Sequence, residues 1–217
     1  MKIKRKVLSL ALTMAVLSGI MGVNAGASMN WYSGSNRVAF RNTSPIRVSA
    51  QNLGTVSPGF NFSARVAESC TQWRAALGVN VASGQTASSA HIRAYGGSRA
   101  VIERAVGEYN TTYAGTNINP IPHVTIGNIS TTDGVKSVRR YDTVSEMYVV
   151  QLRTESSWHS HYINLTRQTT THELGHTLGY VGHTTNDQDV MYGGNQPQFT
   201  LRNNEKRHLS QIYDRFR

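Results

Sequence analysis

The chain has one cysteine, Cys70, in 217 residues. No intramolecular disulfide can form, so a stable fold must come from a buried core, aided by any ions the protein binds. Long apolar runs are equally scarce. Residues 7–23 form one, and no later segment is apolar enough to cross a membrane. Acidic residues are few, 12 Asp and Glu against 22 Lys and Arg, giving a formal charge of +10. There is no internal repeat, low-complexity tract or second-domain linker, which argues against solenoids and arrays.

The N-terminus carries Lys2, Lys4, Arg5 and Lys6, then the apolar run Val7–Val23, then Ala25, Gly26 and Ala27. Basic, apolar and small, in that order, is the layout of a secretory signal peptide. Residues 1–27 are therefore expected to be removed, with the mature protein starting near Gly26 or Ser28. An uncleaved anchor is the alternative, for which the run is just short of a comfortable span. About 190 residues remain, enough for one domain, 28–217, with 28–60 as an N-terminal extension and first strand. Losing four cations lowers the charge from +10 to +6. A basic exported protein is expected outside the cell or against cell-wall polymers and other anionic surfaces, with nucleic acid not an expected partner.

The pattern predicts an α+β fold. Residues 63–77 space Phe62, Val66, Cys70, Trp73 and Leu77 along one helical face, with Ser63 as cap and Gly78 as stop. Cys70 falls on that apolar face and reads as a buried structural thiol. Strands are expected at 90–95, 123–126 and 147–153, with an opening strand at 37–41 or 46–50. Periodicity does not decide between helix and loop for 98–110. A second long helix is expected over about 163–179, and a closing one over 203–216, with Leu209, Ile212, Tyr213 and Phe216 on one face.

Residues 172–183 read HELGHTLGYVGH, with Met191 following in DVMYG. A helix turns once per 3.6 residues, so His172 and His176, four apart, project from one face and can hold one ion. Glu173 lies beside that face, within reach of a water on the metal. Catalytic zinc usually takes three protein ligands, and His183 is the candidate for the third. Reaching it requires a sharp reversal, for which Gly179 and Gly182 supply the freedom. Asp187 and Asp189 are the nearest substitutes for His183, and Glu205 a more distant one.

His172-Glu173, His176, Gly179 and the turn Val190-Met191-Tyr192 together resemble the metzincin zinc peptidases, specifically the matrixin-like branch, whose pattern is HExxHxxGxxH followed by a methionine turn. One feature departs: the family's third histidine position is Gly182 here, and His183 comes one residue later, although the interval from His183 to Met191 is the matrixin one. The resemblance is specific over 172–192 and architectural over 63–171. It implies a twisted mixed sheet backed by a long helix, a zinc-site helix, a methionine turn under the metal and a C-terminal helix.

The same resemblance implies a secreted, monomeric endopeptidase with one zinc ion on His172, His176 and His183. Peptide bonds would be hydrolysed by a metal-activated water, with Glu173 as general base and Met191 as a floor that does not ligate. A tyrosine ligand is not expected, since Gly193 stands two residues after Met191. Protein or peptide substrates would pair with a sheet edge above the cleft, and the segment from Tyr192 and Gly193 through Pro197 to Phe199 would wall the pocket for the residue after the cut. Calcium is compatible with such a protein, but no ligands for it are readable. Cys70 lacks the Pro-Arg-Cys-Gly surroundings of a cysteine switch.

A second reading, from another class, is an inactive secreted module of the same fold that binds anionic surfaces or cell-wall polymers. Metal content together with hydrolysis of an unstructured protein separates the two. The remaining histidines, His91, His123, His159, His161 and His208, read as exposed loop residues.

Overall fold

The computed structural model describes residues 37–54, 61–107, 115–119, 124–131, 134–150, 159–194 and 198–216. The leader and Pro197 lie outside them, as do residues 151–153 of the strand expected at 147–153, and His123. Among the described residues no helix is long and apolar enough to cross a membrane.

Among the described residues the fold is α+β, with two sheets and four helices. Strands β2 (Ile46–Leu53), β3 (Val81–Ala82), β4 (Ile92–Gly97), β5 (Gly115–Ile118) and β8 (Ser145–Val150) form a sheet in the order β3-β2-β4-β8-β5. The first four run parallel and β5 runs antiparallel along the edge of β8. Strands β1 (Arg37–Phe40), β6 (Val124–Thr131) and β7 (Gly134–Arg140) make a smaller sheet, β1-β7-β6. Both candidates for the opening strand are thus strands, one in each sheet.

Helix α1 (Phe62–Leu77) backs the larger sheet and buries Phe62, Val66, Cys70, Trp73 and Leu77, the face expected from their spacing. Each such side chain removed from water contributes about 1.5–3 kcal/mol. The cap is Asn61 and not Ser63: Asn61 Oδ1 accepts the Ala64 N–H at 3.0 Å, so the helix begins one residue earlier. Gly78 ends it as expected, with φ 63° and its N–H on the Arg74 carbonyl.

Helix α2 (Arg99–Val106) makes most of the described part of 98–110 helical, residues 108–110 lying outside the described ones, and its Ile102 packs with Tyr148 and Val150 of the sheet. Helix α3 (His159–Leu178) starts earlier than expected and so takes in His159 and His161, which do not lie in a loop. Helix α4 (Asn203–Phe216) buries Leu209, Ile212 and Tyr213, and also His208, whose ring packs 4.3 Å from that of Tyr180. His91 is half-buried, and its Nδ1 accepts the Arg47 N–H at 3.1 Å. Neither is therefore an exposed loop residue. One contiguous core joins Val38, Phe40 and Val138 of the smaller sheet to α1, α3, α4 and the larger sheet.

Candidate metal centre

Helix α3 is buried over most of its C-terminal half although its sequence there is largely polar. Threonine hydroxyls make this affordable. Thr169, Thr170 and Thr171 donate back to the carbonyls of Leu165, Thr166 and Arg167, four residues earlier, so no hydroxyl is left dry. Thr171 also meets Ser69 Oγ at 2.9 Å, and its carbonyl accepts the Trp73 indole N–H at 2.9 Å. These bonds lock α3 onto α1 in one register.

His172 and His176 leave α3 on one face, and their Nε2 atoms lie 3.0 Å apart. The helix then stops. Gly179 adopts φ 117° and Gly182 φ 75°, conformations that side chains rarely tolerate, and the chain turns back. The reversal returns His183 Nε2 to 3.2 Å from His172 Nε2. Ligand atoms of the three histidines all lie within 4.8 Å of one another, a group that could hold a metal ion. Asp187 is exposed and takes a bond from Gln188, while Asp189 is buried and accepts from Asn204 at 2.8 Å. Glu205 spends both oxygens on backbone amides. None of these carboxylates joins the histidine group.

The hydrogen bonds on the far side of the rings decide what the near side can bind. His172 Nδ1 faces the Val190 carbonyl at 2.7 Å and His176 Nδ1 faces the Tyr180 carbonyl at 2.8 Å. A carbonyl only accepts, so each Nδ1 carries the proton, and each neutral ring presents a bare Nε2. Two bare nitrogens at 3.0 Å cannot bond to each other. They can share a cation: nitrogens about 2.0–2.1 Å from one tetrahedral ion stand about 3.3 Å apart, close to the spacings seen. Three imidazoles suit a first-row ion of the zinc, copper, iron or nickel kind. The rings are also kept neutral: burial, reinforced by His176, holds His172 well below its usual range, burial lowers His176 to about 4, and burial lowers His183.

Met191 packs against α3 at Gly175, which stands between His172 and His176 in the sequence. A Cβ built on Gly175 would sit 2.6 Å from Trp73 Cζ2 and 2.8 Å from Met191 Sδ, so the glycine in HELGH leaves the space that Met191 and Trp73 fill. The turn holding Met191 is closed by Thr184 N–H to Met191 O at 2.9 Å, and by the Met191 N–H to Glu205 Oε1 at 2.7 Å. Burial pushes the Glu205 carboxyl up to about 7, against the pull of the Arg202 and Met191 amides.

Glu173 is buried beside His172, and burial pushes its carboxyl up to about 8. It lines a cavity of ≈ 210 Å³ together with the three histidines, Gly115 to Asn117 of β5, Gln168, Thr169, and Tyr192 to Gly194. Of the expected pocket wall, Tyr192 and Gly193 therefore line this cleft. Phe199 faces elsewhere, with the Arg167 guanidinium 3.4 Å over its ring and its carbonyl bonded to Gln72 Nε2 at 2.8 Å.

The sequence pattern does not predict strand β5. Asn119, one residue beyond it, donates to the His176 carbonyl at 3.0 Å and so ties the strand's end to the last turn of α3. Nothing in GTNI marks a strand, since it lacks both alternation and a run of β-branched residues. No family profile matches the chain, and neither does any curated protein.

Proposed function

We propose that the protein is an exported, zinc-dependent endopeptidase of the matrixin-like metzincin kind, acting on protein or peptide substrates. The observation that carries this reading is the convergence of His172, His176 and His183 in a cleft that also holds a buried carboxylate, Glu173. Supporting it are the order of HELGH, reversal, histidine and methionine turn in the sequence, and Met191 packed under the histidine-bearing helix. The basic-apolar-small N-terminus supports export.

His172, His176 and His183 would hold the ion. When bound, it supplies Lewis acidity, making a water more acidic and offsetting negative charge on the scissile carbonyl oxygen. Glu173 takes the proton of the attacking water and delivers it to the leaving amine. Gly115 lies close to both Thr169 and Glu173, so that a side chain there would collide with each of them. Among the described residues strand β5 ends the larger sheet, and its outer edge would pair with an extended peptide laid along the cleft. Tyr192 and Gly193 also line the cleft.

The test is metal analysis of the purified protein alongside cleavage of an unstructured protein, before and after chelation, with Glu173→Gln as the paired variant. One zinc per chain and chelator-sensitive cleavage are expected. The variant should keep its zinc and lose about 10²–10⁴-fold in rate, the usual worth of a positioned base. Cleavage that persists after the metal is shown to be gone overturns the reading. A zinc-loaded protein that binds polyanions and cleaves nothing favours the inactive binding module instead.

A further inference from the structure

His172 and Glu205 grip opposite sides of one peptide group. The link between Val190 and Met191 offers its carbonyl oxygen to His172 Nδ1 at 2.7 Å and to Gln168 Nε2 at 3.1 Å, and its N–H to Glu205 Oε1 at 2.7 Å. The other oxygen, Glu205 Oε2, accepts the Arg202 N–H at 2.7 Å. Glu205 is fully buried, and both oxygens act as acceptors, the role of an ionised carboxylate.

The ordinary account of such a residue is a capping box. Glu205 is the third residue of α4 and reaches back to the residue before the helix, Arg202. That accounts for one oxygen. It leaves unexplained why the second reaches a backbone amide 14 residues earlier, in the turn under the histidines. Burying a carboxylate is costly unless something uses the charge.

An amide that donates to an anion becomes electron-richer at its own oxygen, because hydrogen bonds in series polarise one another. Here that oxygen faces the His172 Nδ1 proton. Pulling on that proton makes the Nε2 lone pair a better donor to a metal and fixes the ring's orientation. We propose that Glu205 is a positioning residue of the metal centre, acting on His172 through the Val190–Met191 peptide group. The proposal rests on the reading of the three histidines as a zinc site.

Glu205→Gln separates the two roles. Glutamine serves a capping box as well as glutamate does, but it carries no charge and can turn its oxygen to only one of the two amides. Measured well above the pH at which Glu205 ionises, zinc affinity should fall about 10–100-fold, the usual effect of losing an outer partner of a ligand. The NMR resonance of the His172 Nδ1 proton should move upfield. Leu209→Ala, which empties a core position one turn along α4, should lower the melting temperature and move neither readout. Equal zinc affinity in the parent and Glu205→Gln, or equal changes in Leu209→Ala, overturns the relay. If Glu205→Gln does not fold, the parent decides: its Met191 amide proton should resonate far downfield, as a donor to an anion, and an ordinary position overturns the proposal. If the parent binds no zinc, the proposed function falls, and the relay is read from the His172 proton of the metal-free protein alone.

Discussion

Gly115 and Glu173 touch across the cleft: a Cβ added to Gly115 would lie 2.8 Å from Glu173 Cγ and 2.9 Å from Oε1. The edge strand thus sets the height of the proposed base, and only a residue with no side chain fits there. Gly115→Ala must displace the carboxylate, the strand or Thr169. A misplacement of about 1 Å can cost roughly 10²-fold in rate. Peptide hydrolysis should fall by about that factor while zinc content stays at one per chain. Parent-like turnover in the purified variant would show that Glu173 does not depend on this contact.

Gly175→Ala pits two effects against each other. Replacing a helical glycine by alanine gains about 1 kcal/mol of helix propensity. The new methyl would meet Trp73 and Met191 at 2.6 and 2.8 Å, and overpacking a dense core costs about 1–3 kcal/mol. Packing should win, because both neighbours are themselves fully buried. Thermal melting should show a lower midpoint and zinc titration a weaker site. A stabilised variant would mean that the space under α3 is larger than its walls suggest.

Removing a ligand differs from removing a nearby carboxylate. His183→Ala should weaken zinc binding by more than the roughly 10–100-fold that loss of an outer partner costs. Asp187→Ala should bind zinc as the parent does, since Asp187 is exposed, accepts a bond from its neighbour Gln188 and stands outside the histidine group. Isothermal titration of the two variants tests the assignment. Normal binding by His183→Ala would move the third ligand elsewhere.

Zinc should stabilise the folded chain by mass action. With free zinc a thousandfold above Kd the gain is about 4 kcal/mol, visible as a melting temperature that rises with zinc and falls with chelator. A midpoint insensitive to both would argue against any metal site of useful affinity.

Cys70 should be inert while the protein is folded. Burial pushes its thiol up to about 12, so at mildly alkaline pH the reactive thiolate is scarce as well as inaccessible. Ellman's reagent should register no thiol in the native protein and one per chain in denaturant. Rapid labelling of native protein would place Cys70 nearer the surface than the core.

What could be read from the sequence was whatever is local along the chain. His172, Glu173 and His176 share a helical turn, and the Cys70 face of α1 repeats at helical spacing, so both could be placed before any fold was known. Asn61 displaced Ser63 as cap because either can reach the first turn, and only the geometry of the entering chain selects one. Strand β5 was missed because an edge strand of four residues is defined by its partner β8, not by its own composition. From the sequence Glu205 reads as a distant substitute for the third ligand; its contact with Met191 is made across space, and no spacing rule reaches that far. The burial of His208 under Tyr180 escaped notice for the same reason.

Tyr213 adds one more long-range tie. Its hydroxyl donates to the Leu178 carbonyl at 2.9 Å, at the end of α3, and accepts the Arg41 N–H at 3.4 Å, so α4 fastens the histidine helix to β1 while Glu205 fastens the methionine turn. Synthesis runs the other way round. A ribosome makes the three histidines and Glu173 before it makes Glu205 and Tyr213. Until α4 has emerged and docked, the nascent chain holds every group that the proposed chemistry needs but lacks the ties made by Glu205 and Tyr213. A peptidase of the proposed kind would complete its alignment only when its last helix docks.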